Sequence, residues 1–207
     1  MLNFKTFVRQ AMLATALAFT SAAALAGPTY LVTIHTQTVE AEAGLMDFNF
    51  YTTDNASGGM VSLSNFSGAF GEEFDRAGTA TGNIPGTLSF VNSTTSNYLT
   101  QNVVFGGDFS FNVTFSGDYE TVTGLFAPTF QVSLYDAFLT TEYGVAVQFD
   151  LIPALNGDPA SVLVSIANPD LATVTEAVAE VPEPSQLLLM LSALALAGAA
   201  MRRRKTL

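Results

Sequence analysis

"FGGDFSFNVTFSG", Phe105 to Gly117, decides how this chain folds. Phe109, Phe111, Val113 and Phe115 alternate with Ser110, Asn112 and Thr114. Successive side chains of a strand point to opposite faces, so a period of two marks a strand with one face in a core and the other in water. Gly106-Gly107 before it and Gly117-Asp118 after it supply turns.

The same period extends outward in both directions. Tyr30, Val32 and Ile34 alternate with Leu31, Thr33 and His35, and Met46, Phe48 and Phe50 alternate with Leu45, Asp47 and Asn49. Towards the C-terminus come Phe130, Val132 and Leu134, then Val145, Val147, Phe149 and Leu151, then Val162, Val164 and Ile166. Gly58-Gly59, Asn83 to Gly86 and Asn156-Gly157-Asp158-Pro159 separate further runs. No stretch between 28 and 168 sustains a helical period. The pattern predicts an all-β body over 27–167: a single antiparallel β-sandwich, jelly-roll-like, of roughly seven to ten short strands. "SGAFGEEFDRAGTATGNIPG" (67–86) reads as the longest loop, and 168–180 as a linker with one last strand at Leu171–Thr175.

Charge divides the chain in the same way. Of seven Lys and Arg residues, Lys5 and Arg9 stand near the start, Arg202, Arg203, Arg204 and Lys205 near the end, and Arg76 alone in the body. All eighteen Asp and Glu residues fall between Glu40 and Glu183, so residues 27–184 carry −17 with His35 neutral. Such a surface repels phosphate backbones, which excludes nucleic acid as a partner. With no cysteine there is no disulfide framework, cysteine zinc site or thiol nucleophile.

The ends read as membrane signals. Lys5 and Arg9 precede an uncharged stretch from Ala11 to Ala26, which closes on Ala24-Leu25-Ala26 before Gly27-Pro28. That is the order of a secretory signal peptide over 1–26, cut after Ala26, with Ala24 and Ala26 as the small residues of the site. At the other end Leu187 to Met201 is an unbroken apolar run. Counted from Ser185, with Arg202 and Arg203 snorkelling, it reaches about the 17 residues of a minimal transmembrane helix over 185–201. Arg202, Arg203, Arg204 and Lys205 form the cytoplasmic stop, which places the body across the membrane.

Val181-Pro182-Glu183-Pro184-Ser185, the apolar run and the arginine cluster, in that order over 181–207, resemble the PEP-CTERM sorting signal. Proteins with this signal occur in Gram-negative bacteria that make extracellular polysaccharide. The resemblance implies an exosortase substrate, exported by the Sec machinery, trimmed by signal peptidase and held transiently in the inner membrane. It would then pass to the cell surface or the extracellular (biofilm) matrix, with exopolysaccharide as a further partner. The two prolines hold the segment extended, as a protease substrate must be. "TYLVTIHTQT", "GLMDFNF", "IPGTLSFVNSTTSNYL", "FGGDFSFNVTFSG" and "FQVSLYD" resemble, in order, a PEP-CTERM family of unknown function.

Candidate chemistry in the body is sparse. His35, the sole imidazole, sits on the outward face of the first strand beside threonines, and no G-x-S-x-G accompanies it. The expectation is a protein without catalytic residues. Glu72, Glu73 and Asp75 are a weak calcium candidate, without EF-hand spacing, and otherwise no metal or cofactor is expected. Tyr51, Tyr98, Tyr119, Tyr135 and Tyr143 could form aromatic platforms for sugar, although tryptophan is absent. A carbohydrate-binding β-sandwich is therefore the alternative to a structural role.

Overall fold

Phe109, Phe111, Val113 and Phe115 are fully buried, and their strand runs through the interior of a sheet. This computed structural model describes residues 27–52, 56–93, 96–121, 126 and 128–177. The predicted signal peptide, transmembrane helix and sorting segment lie outside the described residues.

The described strands are β1 (Thr29–His35), β2 (Ala43–Tyr51), β3 (Met60–Ser67), β4 (Phe70–Ala77), β5 (Thr81–Gly82) and β6 (Leu88–Val91), then β7 (Ser96–Val104), β8 (Asp108–Ser116), β9 (Thr129–Asp136), β10 (Glu142–Ile152), β11 (Ser161–Ser165) and β12 (Ala172–Ala177). One 3-10 turn, η1, covers Asp118–Glu120. The first sheet has the order β12-β1-β8-β3-β6-β5 and the second β11-β10-β9-β2-β7-β4. Every named pairing is antiparallel. The body is thus all-β with two antiparallel sheets, as the alternation predicts.

The sheets face each other across one core. Phe111 of β8 meets Phe48 of β2 at 5.4 Å, and Phe149 of β10 meets Phe115 at 5.2 Å and Tyr30 at 5.3 Å. These rings, tilted or edge-on, place hydrogens over π faces, the favoured arrangement for aromatic pairs. Each fully buried large apolar side chain contributes roughly 1.5–3 kcal/mol against conformational entropy. Gly44 marks a close approach within sheet two: a Cβ there would stand 2.3 Å from both the Phe105 ring and the Tyr135 carbonyl oxygen. At Gly117, where β8 turns into η1, φ is 126°, which favours glycine.

Three expectations change. Residues 67–86 are not one long loop: Phe70–Ala77 is the edge strand β4 and Thr81–Gly82 the short β5. Register shifts between Phe70 and Glu73, and again between Glu73 and Asp75, bulge β4 and scramble its alternation. Ser96–Val104, which the alternation does not pick out, is the interior strand β7, its apolar period hidden by the inward Asn97 and Gln101. The last strand expected at Leu171–Thr175 within the 168–180 linker is present as β12, and it belongs to the body rather than to a linker, pairing with β1 from Ile34↔Ala172 to Thr29↔Ala177. Compact structure accordingly divides between Ala177 and Val178, beyond the expected edge at 167.

Candidate functional site

His35 ends β1 on the outer face of sheet one, half-buried, as its place in the alternation predicts. Asp108, opposite it at the start of β8, accepts from the ring Nδ1 at 2.9 Å and from Gln37 Nε2 at 2.7 Å. On its other side the ring Nε2 lies 3.4 Å from Thr173 Oγ1 of β12, within hydrogen-bond reach. Hydrogen bonds from Gln37, then His35, hold the Asp108 carboxyl below its ordinary pKa. Aspartate, imidazole and hydroxyl therefore form a line across three strands on an open sheet face.

The acidic trio is divided rather than gathered. Arg76 Nε donates to Glu73 Oε1 at 2.7 Å and Arg76 Nη2 to Glu73 Oε2, a bidentate pair that lowers the Glu73 pKa. Arg76 also donates to the carbonyls of Ala80 at 3.2 Å and Gly82 at 2.9 Å, so the body's one arginine organises the turn after β4. Asp75 Oδ2 accepts from the Tyr98 hydroxyl at 2.9 Å and its Oδ1 from the Arg76 amide. Glu72 is exposed on the same strand. Among the described residues no group of three His, Asp or Glu side chains is close enough to hold a metal ion.

The tyrosines separate by place. Tyr119 is buried in η1, and Tyr143 lies edge-on to Phe105 at 5.8 Å. Tyr51, Tyr98 and Tyr135 share the outer face of sheet two, opposite to the inward Phe48, Phe50, Leu99, Phe130 and Val132. Between them the register sets Asp47 across from Thr100 on one side and Ser133 on the other. The small neighbours leave Asp47 in a dip, with Tyr98 and Tyr135 on opposite diagonals, roughly 16 Å apart by strand spacing and rise.

A hydrogen-bond network fixes this face. Thr100 Oγ1 donates to Asp47 Oδ1 at 2.7 Å, Gln131 Nε2 to Ser133 Oγ at 2.8 Å and Thr129 Oγ1 to Asp150 Oδ1 at 2.8 Å. Gln148 Nε2 reaches both Asp150 oxygens at 2.9 Å. Burial raises the Asp47 pKa above the ordinary carboxylate value, against the hydrogen bonds from Thr100 and Asn49. Asn49 Oδ1 is shielded and accepts no hydrogen bond. Chemically the face is aromatic and rich in acceptors, suited to a ligand that brings donors. Sequence reading placed Asp47 and Asn49 in the outward phase of β2; that Thr100, Ser133 and Gln131 stand beside them depends on cross-strand register, which no local pattern reveals.

Residues 180–205 match the family model of the PEP-CTERM protein-sorting motif. No curated protein and no solved structure matches the chain. The match contains Val181 to Ser185 and Arg202 to Lys205. The chain thus carries a PEP-CTERM sorting motif, and the motif implies exosortase-dependent sorting of an exported protein processed at the membrane. These residues, like Ala24 and Ala26, lie outside the described ones. Among the described residues no helix is long and apolar enough to cross a membrane.

Proposed function

We propose that this is a non-enzymatic protein of the cell envelope or extracellular matrix, delivered by a cleaved signal peptide and parked through its C-terminal segment. In this reading Val181, Pro182, Glu183, Pro184 and Ser185 are the segment exosortase recognises. Residues 185–201 are the temporary anchor in the inner membrane, and Arg202 to Lys205 hold its cytoplasmic end. The match at 180–205 carries the reading. The −17 charge of 27–184 supports it, since it keeps exported copies dispersed.

The test is the intact mass of the protein recovered from membrane and extracellular fractions of its own host. A species beginning at Gly27 and ending near Pro182-Glu183-Pro184 is expected. A species that keeps Leu187 to Leu207 and stays in the membrane would remove exosortase processing. Deleting Pro182–Pro184 should abolish the trimmed form, and unchanged size and location would sink the role assigned to the motif.

A second reading, a module that binds exopolysaccharide, is favoured by the outer face of sheet two. The strand order supports it as well: with β1-β8-β3-β6 inside one sheet and β2-β7-β4 inside the other, we read the sandwich as jelly-roll-like, a frame often used for sugar ligands. A face with Asp47, Asp75 and Asp150 suits neutral or amino sugars over anionic ones. Calorimetry on the exported protein should show uptake of such oligosaccharides, lost at least tenfold in Tyr98→Ala and unchanged in Thr33→Ala on sheet one. Silence across both sugar classes would leave the structural reading alone.

A further inference from the structure

The corner where β8 runs into η1 contains two of the three shielded side-chain polar atoms that lack a hydrogen-bond partner among the described residues, Tyr119 Oη and Glu120 Oε1. Burial raises the Glu120 pKa, as expected of a carboxylate taken from water without a donor in exchange. No side chain of the body can supply the missing cation. Arg76 is the sole Lys or Arg between residues 27 and 184, and it is bound to Glu73.

The main chain can supply it. Gly27 lies against Glu120: a Cβ there would stand 2.6 Å from Glu120 Oε1 and 1.9 Å from the Phe115 carbonyl oxygen. Position 27 therefore admits no side chain, and the Pro28 carbonyl, accepting from the Phe115 amide at 3.2 Å, holds the segment down. A residue's nitrogen is about 2.5 Å from its Cβ, which puts the Gly27 nitrogen within about 5 Å of the carboxylate.

We propose that Glu120 is the receiving site for the α-ammonium created when the chain is cut between Ala26 and Gly27. The inference rests on the reading of residues 1–26 as a cleaved signal peptide. In the cut, water adds across the peptide bond. Its hydroxyl joins the Ala26 carbonyl carbon, a proton goes to the Gly27 nitrogen, and that amine takes a second proton below its pKa of about 8. An amide with one N–H becomes an ammonium with three donors and a full charge. Before the cut Glu120 Oε1 has no hydrogen-bond partner among the described residues, whereas the mature protein closes the corner with an ion pair.

The pair makes export and stability readable in one experiment on the protein secreted by its host. Terminal sequencing should give Gly27. The chain's lysines are Lys5 and Lys205, outside the body, so amine acetylation there neutralises the α-ammonium alone. Acetylation should lower Tm by roughly 5 °C or more. Glu120→Gln should lower it similarly, and acetylating that variant should add nothing. A Gly27 terminus whose acetylation leaves Tm unmoved, or adds to the Glu120→Gln loss, overturns the pair and leaves export standing. Acetylation of the wild type decides this alone if Glu120→Gln does not fold. A mature terminus elsewhere overturns the cleavage reading together with the pair.

Discussion

The two outward faces of the body are built from the same alternation and share almost no chemistry. On sheet one the outward positions are mostly small and neutral, among them Thr33, Ser62, Ser64, Ser89, Ser110, Thr114, Thr173 and Thr175, with His35 and Asp108 paired at one end. Some of these short hydroxyls pair with each other, as Thr29 with Thr114 at 2.9 Å and Ser89 with Ser62 at 3.3 Å, and Thr173 pairs with His35 at 3.4 Å. On sheet two the corresponding positions carry tyrosines, amides and three aspartates, one of them held at a raised pKa. A face that merely needs to be wet has no use for a half-buried carboxylate. The difference teaches that sheet two, beyond its half of the core, carries a surface whose composition stability does not explain.

The largest perturbation tests whether both faces stand on one core. Phe111→Ala empties a site between the sheets and should cost about 3–5 kcal/mol in denaturant unfolding, with both faces lost in one transition. Asn97→Ala comes next and strikes the inward row of sheet two. Its buried amide donates to the Phe50 carbonyl at 3.0 Å and accepts from the Thr79 amide at 2.9 Å, so removal should cost roughly 1–3 kcal/mol.

Smaller effects separate the faces by sign. The native state holds a proton on Asp47 more tightly than the unfolded chain does. Its contribution is therefore full below the unfolded pKa and lost as pH rises through the folded one. Asp47→Asn should raise Tm at neutral pH, and the gain should shrink on acidification. Asp108 has the opposite shift, so its contribution is present above the unfolded pKa and lost as pH falls through the folded one. Asp108→Asn should lower Tm slightly at neutral pH and leave it unchanged in acid. Matching pH profiles for the two variants would erase the contrast. The smallest change, Thr33→Ala on sheet one, should stay within about 0.5 kcal/mol.

Where the sequence could be read, one face of a strand was uniformly apolar. β1, β2, β8 and β9 satisfy that condition and their inward residues are read correctly, whereas in β10 a bulge turns Val145 to the face of Ser133 and buries Ala146 instead, and β11 ends at Ser165, before Ile166. β7 was missed because Asn97 and Gln101 take inward positions beside Leu99 and Val103. Those amides bond to the Phe50 and Gly71 carbonyls, partners that exist only after the sheets assemble. β3 starts with Val61 and Leu63, then loses register between Ser64 and Ser67 around Asn65, whose φ is 57°. The sorting segment was legible because its grammar is linear: prolines, an apolar run and cations in order. The Asp47 face was illegible for the opposite reason, being a relation among four strands.

The pairing of β12 with β1 joins the last strand of the body to the first, Thr29 opposite Ala177. A ribosome or a membrane channel delivers those residues at the two extremes of a long interval. Throughout it β1 has no neighbour on its outer side, and the loop to be closed is nearly the whole body, the slowest kind of contact to form. Sheet one therefore keeps an open edge at β1 until residues 172–177 are present to close it.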